Sequence, residues 1–204
     1  MTIRIFFHRQ IKKNGGTAYA YTVDLCSRQK IYEAAEKVKS DIGSVHILIN
    51  NAGIVSGSTL LDTPDDKIIR TYDVNVLAHF WTIKSFLPDM ISMKKGHIVN
   101  IASLAGHSGM NKLVDYCSSK FAAVGLDESI KIELKVQGHD YIATTVVCPY
   151  YINTGMFSGV VSKVGTSTRY INKYTFFAVS EKRLYLPLFV SNELNVFNTF
   201  LLVA

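Results

Sequence analysis

The sequence is poor in cysteine and has no cluster of basic residues, and both absences narrow the classes of protein that it specifies. Its three cysteines, Cys26, Cys117 and Cys148, are far apart and lack the spacing of a metal site. They are expected to be buried thiols in a reducing compartment. The net charge of +6 comes from lysines and arginines that never run for more than two residues, so nucleic-acid binding has little support. A solvated basic surface explains the charge, with attraction to anionic lipid or to a phosphate as the alternative.

The sequence also lacks an uninterrupted apolar run of membrane-spanning length. Residues 1–8 are too short and too polar for a signal peptide or a membrane span. The apolar segment 184–204 is interrupted by Pro187, Glu193 and three asparagines. A spanning helix would bury Glu193 near its centre at high cost. This segment is therefore expected to lie at a membrane surface or to pack in the core.

Length and composition leave room for one domain over residues 1–204. Of the 204 residues 48% are hydrophobic, and no repeat or low-complexity tract occurs, so a sizeable core is expected. Strand-like and helical segments alternate, which predicts an α/β fold with a doubly wound parallel sheet. The predicted strands are 18–25, 46–52, 97–103 and 141–148, and the predicted helices are 27–40, 63–90 and 115–135.

Capping residues mark the boundaries of the predicted helices. Ser27 is suited to cap the first helix, and Gly43 lies just past its end. Thr63 is predicted to cap the second helical region, with Pro64 at its first helical position. That region is expected to extend to about Met90, and a kink within it is compatible with the pattern.

The residues with the clearest chemistry are Ser103, Tyr116 and Lys120. In a helix, a Tyr-x-x-x-Lys pair stacks the phenol and the ammonium on one face. A nearby cation favours the phenolate, so we expect Lys120 to lower the pKa of Tyr116 until it exchanges a proton at neutral pH. Ser103 would be a second hydrogen-bond donor to the same substrate oxygen. The pair alone is weak evidence, because a chain with 11 tyrosines and many lysines forms such a pair by chance, and an ordinary helix face explains it.

Other residues at suitable positions strengthen this interpretation. Asn50-Asn51-Ala52-Gly53 follows an apolar run, Asn75 lies in the next helical region, and Asp24 closes an earlier strand-like run. With Ser103, Tyr116 and Lys120 in this order, they resemble the short-chain dehydrogenase/reductase family. The segments LINNAGIVSG and DYCSSKFAAVGLDES look like the branch of epidermal retinol dehydrogenases and related hydroxysteroid dehydrogenases.

The resemblance implies an oxidoreductase with a Rossmann-like fold. Such an enzyme would use NAD or NADP to transfer a hydride to or from a lipophilic alcohol or ketone of retinol or steroid type. It implies a homodimer or a heterodimer with a full-length relative, and a location at the endoplasmic reticulum membrane or on lipid droplets. The catalytic set that it implies is Asn75, Ser103, Tyr116 and Lys120.

The resemblance also implies a set of cofactor contacts, several of which have an ordinary alternative. Asp24 either contacts the adenine or simply caps the helix that begins near Ser27. Asn51 either lines the cofactor or satisfies a turn, and Thr154 either lies near the nicotinamide or is a plain loop residue. The implied cofactor-binding residues are Asp24, Asn51, Ala52, Gly53, Tyr116, Lys120, Pro149 and Thr154.

Two departures from the family pattern put activity in question. No Gly-x-x-x-Gly-x-Gly turn occurs in the sequence, so the first strand, the glycine-rich turn and the second strand of the family are expected to be missing. The strand at 46–52 would then have a bare apolar edge unless the Asp24 strand covers it. Residues 159–204 lose the family pattern, and Tyr150 replaces a usual glycine.

Three hypotheses follow from this mixture of matches and departures. The chain is a dehydrogenase, or a truncated inactive relative that acts as a dimerisation or interaction partner, or a membrane-surface protein held by its apolar C-terminal segment.

Overall fold

The computed structural model of the protein describes residues 15–17 and 19–150, together with the backbone of 176–179 and 200–203. Three parallel strands and the helices between them form its main part. The strands are β1 (Ile47–Asn50), β2 (Gly96–Ile101), β3 (Ile142–Pro149), β4 (Phe176–Val179) and β5 (Phe200–Val203), and the helices are α1 (Arg28–Ile42), α2 (Asp65–Tyr72), α3 (Ala78–Ser92) and α4 (Val114–Val136).

The described strands form one sheet in the order β4-β3-β2-β1-β5. β1, β2 and β3 are parallel, with Ile49 opposite Val99 and Val99 opposite Thr145. β4 and β5 pair antiparallel at the two edges. The predicted α/β fold with parallel strands joined by helices is confirmed.

Alternate strand residues face opposite sides of this sheet. Leu48 and Ile98 face α1, α3 and α4 and join their buried residues in the largest core cluster. Ile49, Val99 and Val147 form a separate apolar cluster on the other face. The nearly continuous apolar character of β1 and β2 follows from this burial on both faces.

α1 forms where its capping signals predict it. The Ser27 hydroxyl accepts a hydrogen bond from the Lys30 amide at 3.4 Å, and Ile31, Ala35 and Val38 are buried. Gly43 ends the helix at φ 91°, a backbone conformation that costs glycine nothing. Local chemistry therefore suffices to define this helix.

The predicted strand at 18–25 is wrong. Residues 19–25 form no strand in the structure. The edge of β1 is covered instead by β5, with Ile49 opposite Leu201. Tyr21 packs against the largest core cluster, and Val23 packs against a second cluster that includes Leu25 and Ile31. An extended segment becomes a strand only when another backbone pairs with it, and β5 takes the place next to β1.

The second helical region begins one residue later than predicted. Pro64 is its N-cap, and the Thr63 hydroxyl donates to the carbonyl of Thr59 at 2.7 Å instead of capping the helix. The kink takes the form of a π-helical turn, Asp73–Leu77, between α2 and α3. π-Helical turns inside α-helices often occur at functional sites.

The expectation of three buried cysteines is correct for Cys117 and Cys148 and wrong for Cys26. Cys26 lies in the turn before α1, where the chain reaches solvent.

Candidate active site

Tyr116 and Lys120 are one turn apart in α4, and both side chains are buried, with exposed fractions of 4% and 3%. The Lys120 ammonium lies 5.7 Å from the centroid of the Tyr116 ring. This is the stacking that an i, i+4 pair adopts on a helix. The structure therefore brings the phenol and the cation together on one face of α4.

The expected effect of this cation on the phenol is not found. The pKa of Tyr116 is raised above its usual value, chiefly because burial disfavours the phenolate, and a hydrogen bond from Ser103 offsets only part of this rise. The expectation that Lys120 lowers this pKa to near neutrality is therefore wrong for the structure. Desolvation of the phenol is the largest influence on its pKa, and the Lys120 ammonium is hydrogen-bonded to a different group.

The partner of the Lys120 ammonium is a backbone carbonyl. Its Nζ donates to the carbonyl of Ile101, at the end of β2, over 2.9 Å. Burial lowers the pKa of Lys120 from 10.5 to about 8. Among the described residues this carbonyl is its one hydrogen-bond acceptor, although an ammonium has three protons to donate.

Ser103 follows β2 and caps a short 3-10 turn, Leu104–Gly106. Its hydroxyl accepts from the Ala105 amide at 3.2 Å and hydrogen-bonds with the Tyr116 phenol. The turn thus holds the serine beside the tyrosine.

Asn75 lies in the π-helical turn and is fully buried. Its side-chain amide accepts from the Ile54 amide at 2.8 Å and donates to the Ile54 carbonyl at 3.0 Å. It also donates to the Ser119 hydroxyl on α4 at 2.9 Å. One asparagine thus ties the loop after β1 to the helix that carries Tyr116. We name residues 51–57 the β1 loop.

Gly53 brings the backbone of the β1 loop close to Lys120 and Asn75. A Cβ placed there would be 3.4 Å from Lys120 Nζ and 3.5 Å from Asn75 Oδ1. Its neighbour Ala52 is buried and Asn51 is half-buried. The loop backbone therefore passes directly against the lysine and the asparagine.

The remaining predicted cofactor residues are more scattered. Pro149 is half-buried at the end of β3. Asp24 ends no strand, because the predicted strand is absent. Its carboxylate accepts from the Cys26 amide at 3.1 Å and lies 3.6 Å from the Lys30 ammonium. These are the contacts of a turn before a helix. Thr154 lies outside the described residues.

Two buried polar residues near the site were missed from the sequence. His79, four residues after Asn75, is fully buried, and burial together with the Lys120 charge lowers its pKa to about 3. Neither ring nitrogen makes a well-formed hydrogen bond to a described residue. The Ala52 backbone lies close enough to raise the pKa of His79, but burial outweighs this effect. Asp115, beside Tyr116, is also buried. His79 could have been identified from the sequence, because it lies four residues after Asn75 and therefore on the same face of a helix. No sequence pattern indicates Asp115.

The sequence is similar to a family of known proteins. The family model described as short chain dehydrogenase matches residues 6–165. The chain is 45% identical over 184 residues to epidermal retinol dehydrogenase 2 of Mus musculus, covering 87% of this chain and 60% of the relative. It is 47% identical over 154 residues to estradiol 17-beta-dehydrogenase 11 of Mus musculus, covering 76% and 52%. The chain thus spans little more than half the length of these relatives.

A solved structure shares the fold. A metagenomic short-chain oxidoreductase in complex with NADP superposes with a TM-score of 0.66 at 31% identity, covering 70% of this chain and 63% of that one. The match to the family model extends over most of the sequence, including both the β1 loop and the Ser103, Tyr116 and Lys120 cluster. The chain belongs to the short-chain dehydrogenase family.

Proposed function

We propose that the protein acts as an NAD- or NADP-dependent oxidoreductase on lipophilic alcohols or ketones. The observation that carries this proposal is the gathering of Ser103, Tyr116, Lys120 and Asn75 around the β1 loop, at the carboxyl ends of β1 and β2. Ligands bind at this edge of parallel sheets. The cluster joins a proton-carrying phenol to a cation and a second hydroxyl, which is what alcohol–carbonyl interconversion requires.

The residues fit the nicotinamide-ribose half of such a cofactor. Lys120 is buried with ammonium protons left over after its bond to Ile101, and ribose hydroxyls accept such bonds. The β1 loop approaches Lys120 through Gly53, which has no side chain in the way. When bound, the nicotinamide supplies or accepts the hydride. The sequence has no glycine-rich turn, so the cofactor diphosphate would lack the cradle of backbone N–H groups that such a turn supplies.

The proton chemistry belongs to Tyr116. Because its pKa is raised, the phenol keeps its proton at neutral pH and is ready to donate it to an oxygen in reduction. Accepting a proton from an alcohol becomes easier as the pH rises. Ser103, bonded to the same phenol, orients the substrate oxygen and stabilises charge that develops on it.

The substrate class rests on two supports. Relatives named for retinol and for estradiol share 45% and 47% of aligned residues with the chain. Leu113 packs against the buried cluster of Ala105, Tyr116 and Cys117, and Met110, three residues before Leu113, is exposed. A retinol- or steroid-like alcohol would bury its hydrocarbon part against these residues.

Titration with NAD and NADP by calorimetry, followed by turnover of retinol and of a hydroxysteroid, tests the proposal. Tyr116→Phe is expected to bind cofactor like the wild type and to lose turnover. Absence of binding by either dinucleotide at millimolar concentration would refute the enzyme proposal and leave the interaction partner and the membrane-surface protein as the two remaining hypotheses.

A role as a dimerisation partner has an observation of its own. Three large apolar residues near Asn75 and Tyr116 in the sequence are exposed: Leu77 in the π-helical turn, Phe80 in α3 and Phe121 in α4. Exposed apolar patches favour protein contacts. Pairing with a second copy or with a full-length relative would cover them. Sedimentation of the wild type and of Phe121→Glu tests pairing with a second copy, which is excluded if both proteins sediment as monomers.

Placement at the endoplasmic reticulum membrane or on lipid droplets is proposed from the family likeness. In the described part of the chain, no helix has the length and apolar content to cross a bilayer. Residues 184–199 lie outside the described part. Liposome flotation with and without residues 184–204 tests surface attachment, and equal flotation would exclude a role for this segment.

A further inference from the structure

We propose that Asp115 is a positioning residue, which holds the first turn of α4, and with it Tyr116, against the β1 loop. The proposal deepens the proposed oxidoreductase function and rests on it only for its effect on turnover. The contacts themselves are independent of any activity.

Asp115 is a carboxylate inside the protein, with 5% of its surface exposed. One of its oxygens accepts from the Ser56 hydroxyl at 2.7 Å, and the other accepts from the Thr71 hydroxyl at 2.9 Å. A buried carboxylate is tolerated only when such bonds satisfy it. The two donors come from different parts of the chain, the β1 loop and α2, so the carboxylate joins three elements.

The two bonds are unequal. The Thr71 hydroxyl also lies 2.9 Å from the Lys67 carbonyl, and its single proton is shared between two acceptors. Ser56 donates to Asp115 alone among the described residues. The shorter bond, to the β1 loop, is therefore the stronger restraint.

The β1 loop is held at two of its residues. The Asn75 side chain bonds both the backbone N–H and the backbone carbonyl of Ile54. Asp115 bonds the hydroxyl of Ser56, two residues later. Gly53 lies next to these anchors and against Lys120. Loss of the bond to Ser56 would free the β1 loop where it approaches Lys120 and the first turn of α4.

Asp115 acts through its neighbour and does not take part in the chemistry. Consecutive helical residues point about 100° apart, so Tyr116 faces Ser103 while Asp115 faces Ser56 and Thr71. Moving the first turn of α4 would shift the phenol relative to Ser103, and small displacements of a reacting group are costly.

Asp127 provides a matched control on the same helix. It is equally buried, at 5%, and accepts from the Asn100 side chain on β2 at 2.8 Å. It lies about 18 Å further along the helix axis. Its hydrogen bond to Asn100 leads on to Asn50 at the end of β1, whereas Asp115 bonds directly to Ser56 within the β1 loop. Replacing either carboxylate should destabilise the fold, but only Asp115 should release the loop.

The experiment compares Asp115→Ala, Asp115→Asn, Ser56→Ala and Asp127→Ala by hydrogen exchange of the free protein. Asp115→Ala should speed exchange of the 51–57 peptide about tenfold more than Asp127→Ala does, as loss of a charged hydrogen bond predicts. Ser56→Ala should do so to a smaller extent. Asp115→Asn should restore protection to within about twofold, because an amide accepts from Ser56 and donates to Thr71, which keeps Lys67 as its acceptor.

Turnover provides the second measurement. In the variants that fold, kcat should fall about tenfold in Asp115→Ala and recover in Asp115→Asn, with little change in Asp127→Ala. Equal exchange of the 51–57 peptide in Asp115→Ala and Asp127→Ala would overturn the proposal. If Asp115→Ala fails to fold, unchanged exchange in Ser56→Ala overturns it instead. If the wild type binds no dinucleotide, the proposed function fails, while the exchange pattern still decides the role of Asp115.

Discussion

Replacing Lys120 with methionine provides a direct measure of what its burial costs the fold. The ammonium is 3% exposed and has one carbonyl partner among the described residues. Burial lowers its pKa from 10.5 to about 8. Each pKa unit corresponds to about 1.4 kcal/mol, so the charged lysine costs the folded state on the order of 3 kcal/mol.

This cost depends on pH in a defined window. Below about pH 8 the lysine is charged in both the folded and the unfolded chain, and the folded state bears the whole penalty. As the pH rises from about 8 to 10.5, the folded state loses the proton first, so the free energy of unfolding of the wild type increases. Methionine has no proton to lose, and its stability should not share this increase.

The measurement is urea unfolding, followed by circular dichroism, of wild type and Lys120→Met between pH 7 and 10. Loss of the bond to Ile101 adds a constant term of about 1–3 kcal/mol, so the quantity of interest is the change of the difference with pH. Across the window, the free energy of unfolding of the wild type should rise by up to about 3 kcal/mol relative to that of Lys120→Met. The exposed Lys84→Met is the control. A difference that stays constant within about 0.5 kcal/mol would refute the assignment of a buried, desolvated ammonium.

Three further predictions concern neighbouring residues. Tyr116→Phe should keep the fold and lower kcat by about 100-fold or more, measured by steady-state kinetics, because the proton donor is gone; undiminished turnover would rule out its role. Gly53→Ala should keep the fold and change cofactor binding by less than about tenfold in calorimetry, since the new methyl group would lie at an ordinary contact distance, 3.4 Å, from Lys120 Nζ; a larger loss would show that the loop has no room for a methyl group. His79→Leu should make the fold less sensitive to acid. The buried His79 ring has a pKa of about 3 in the folded protein, so the unfolded chain takes up a proton first as the pH falls. The free energy of unfolding of the wild type should therefore drop by on the order of 5 kcal/mol between pH 6.5 and pH 3. Identical acid unfolding curves for the two proteins would contradict that account.

The features that were predicted correctly depend on short-range chemistry. Ser27 and Gly43 define the two ends of α1, and the hydrogen-bond partner of each cap, Lys30 or Lys39, lies within one helical turn of it. The i, i+4 spacing of Tyr116 and Lys120 places them on one face of any helix that contains them. The apolar run of β1 needed only a hydrophobic pattern to be identified. The candidate site could be located because its residues follow strands whose carboxyl ends meet at one edge of the sheet.

The features that were predicted wrongly depend on distant partners. The segment at 18–25 has strand propensity, but β5, from the other end of the chain, pairs with β1. Thr63 has the chemistry of a cap, but the preceding turn offers its hydroxyl the Thr59 carbonyl. Cys26 has an apolar side chain that the fold leaves in an exposed turn.

The sequence by itself determined the family, the helix caps and the order of the chemical groups, because motifs and periodicity are properties of neighbours along the chain. Only the tertiary structure decided the proton affinities and the anchoring of the β1 loop. Burial raises the pKa of Tyr116 and lowers that of Lys120, and desolvation exists only once other elements have closed over a group. For the same reason Asp115 gained its two hydroxyl partners from elements 44 and 59 residues away.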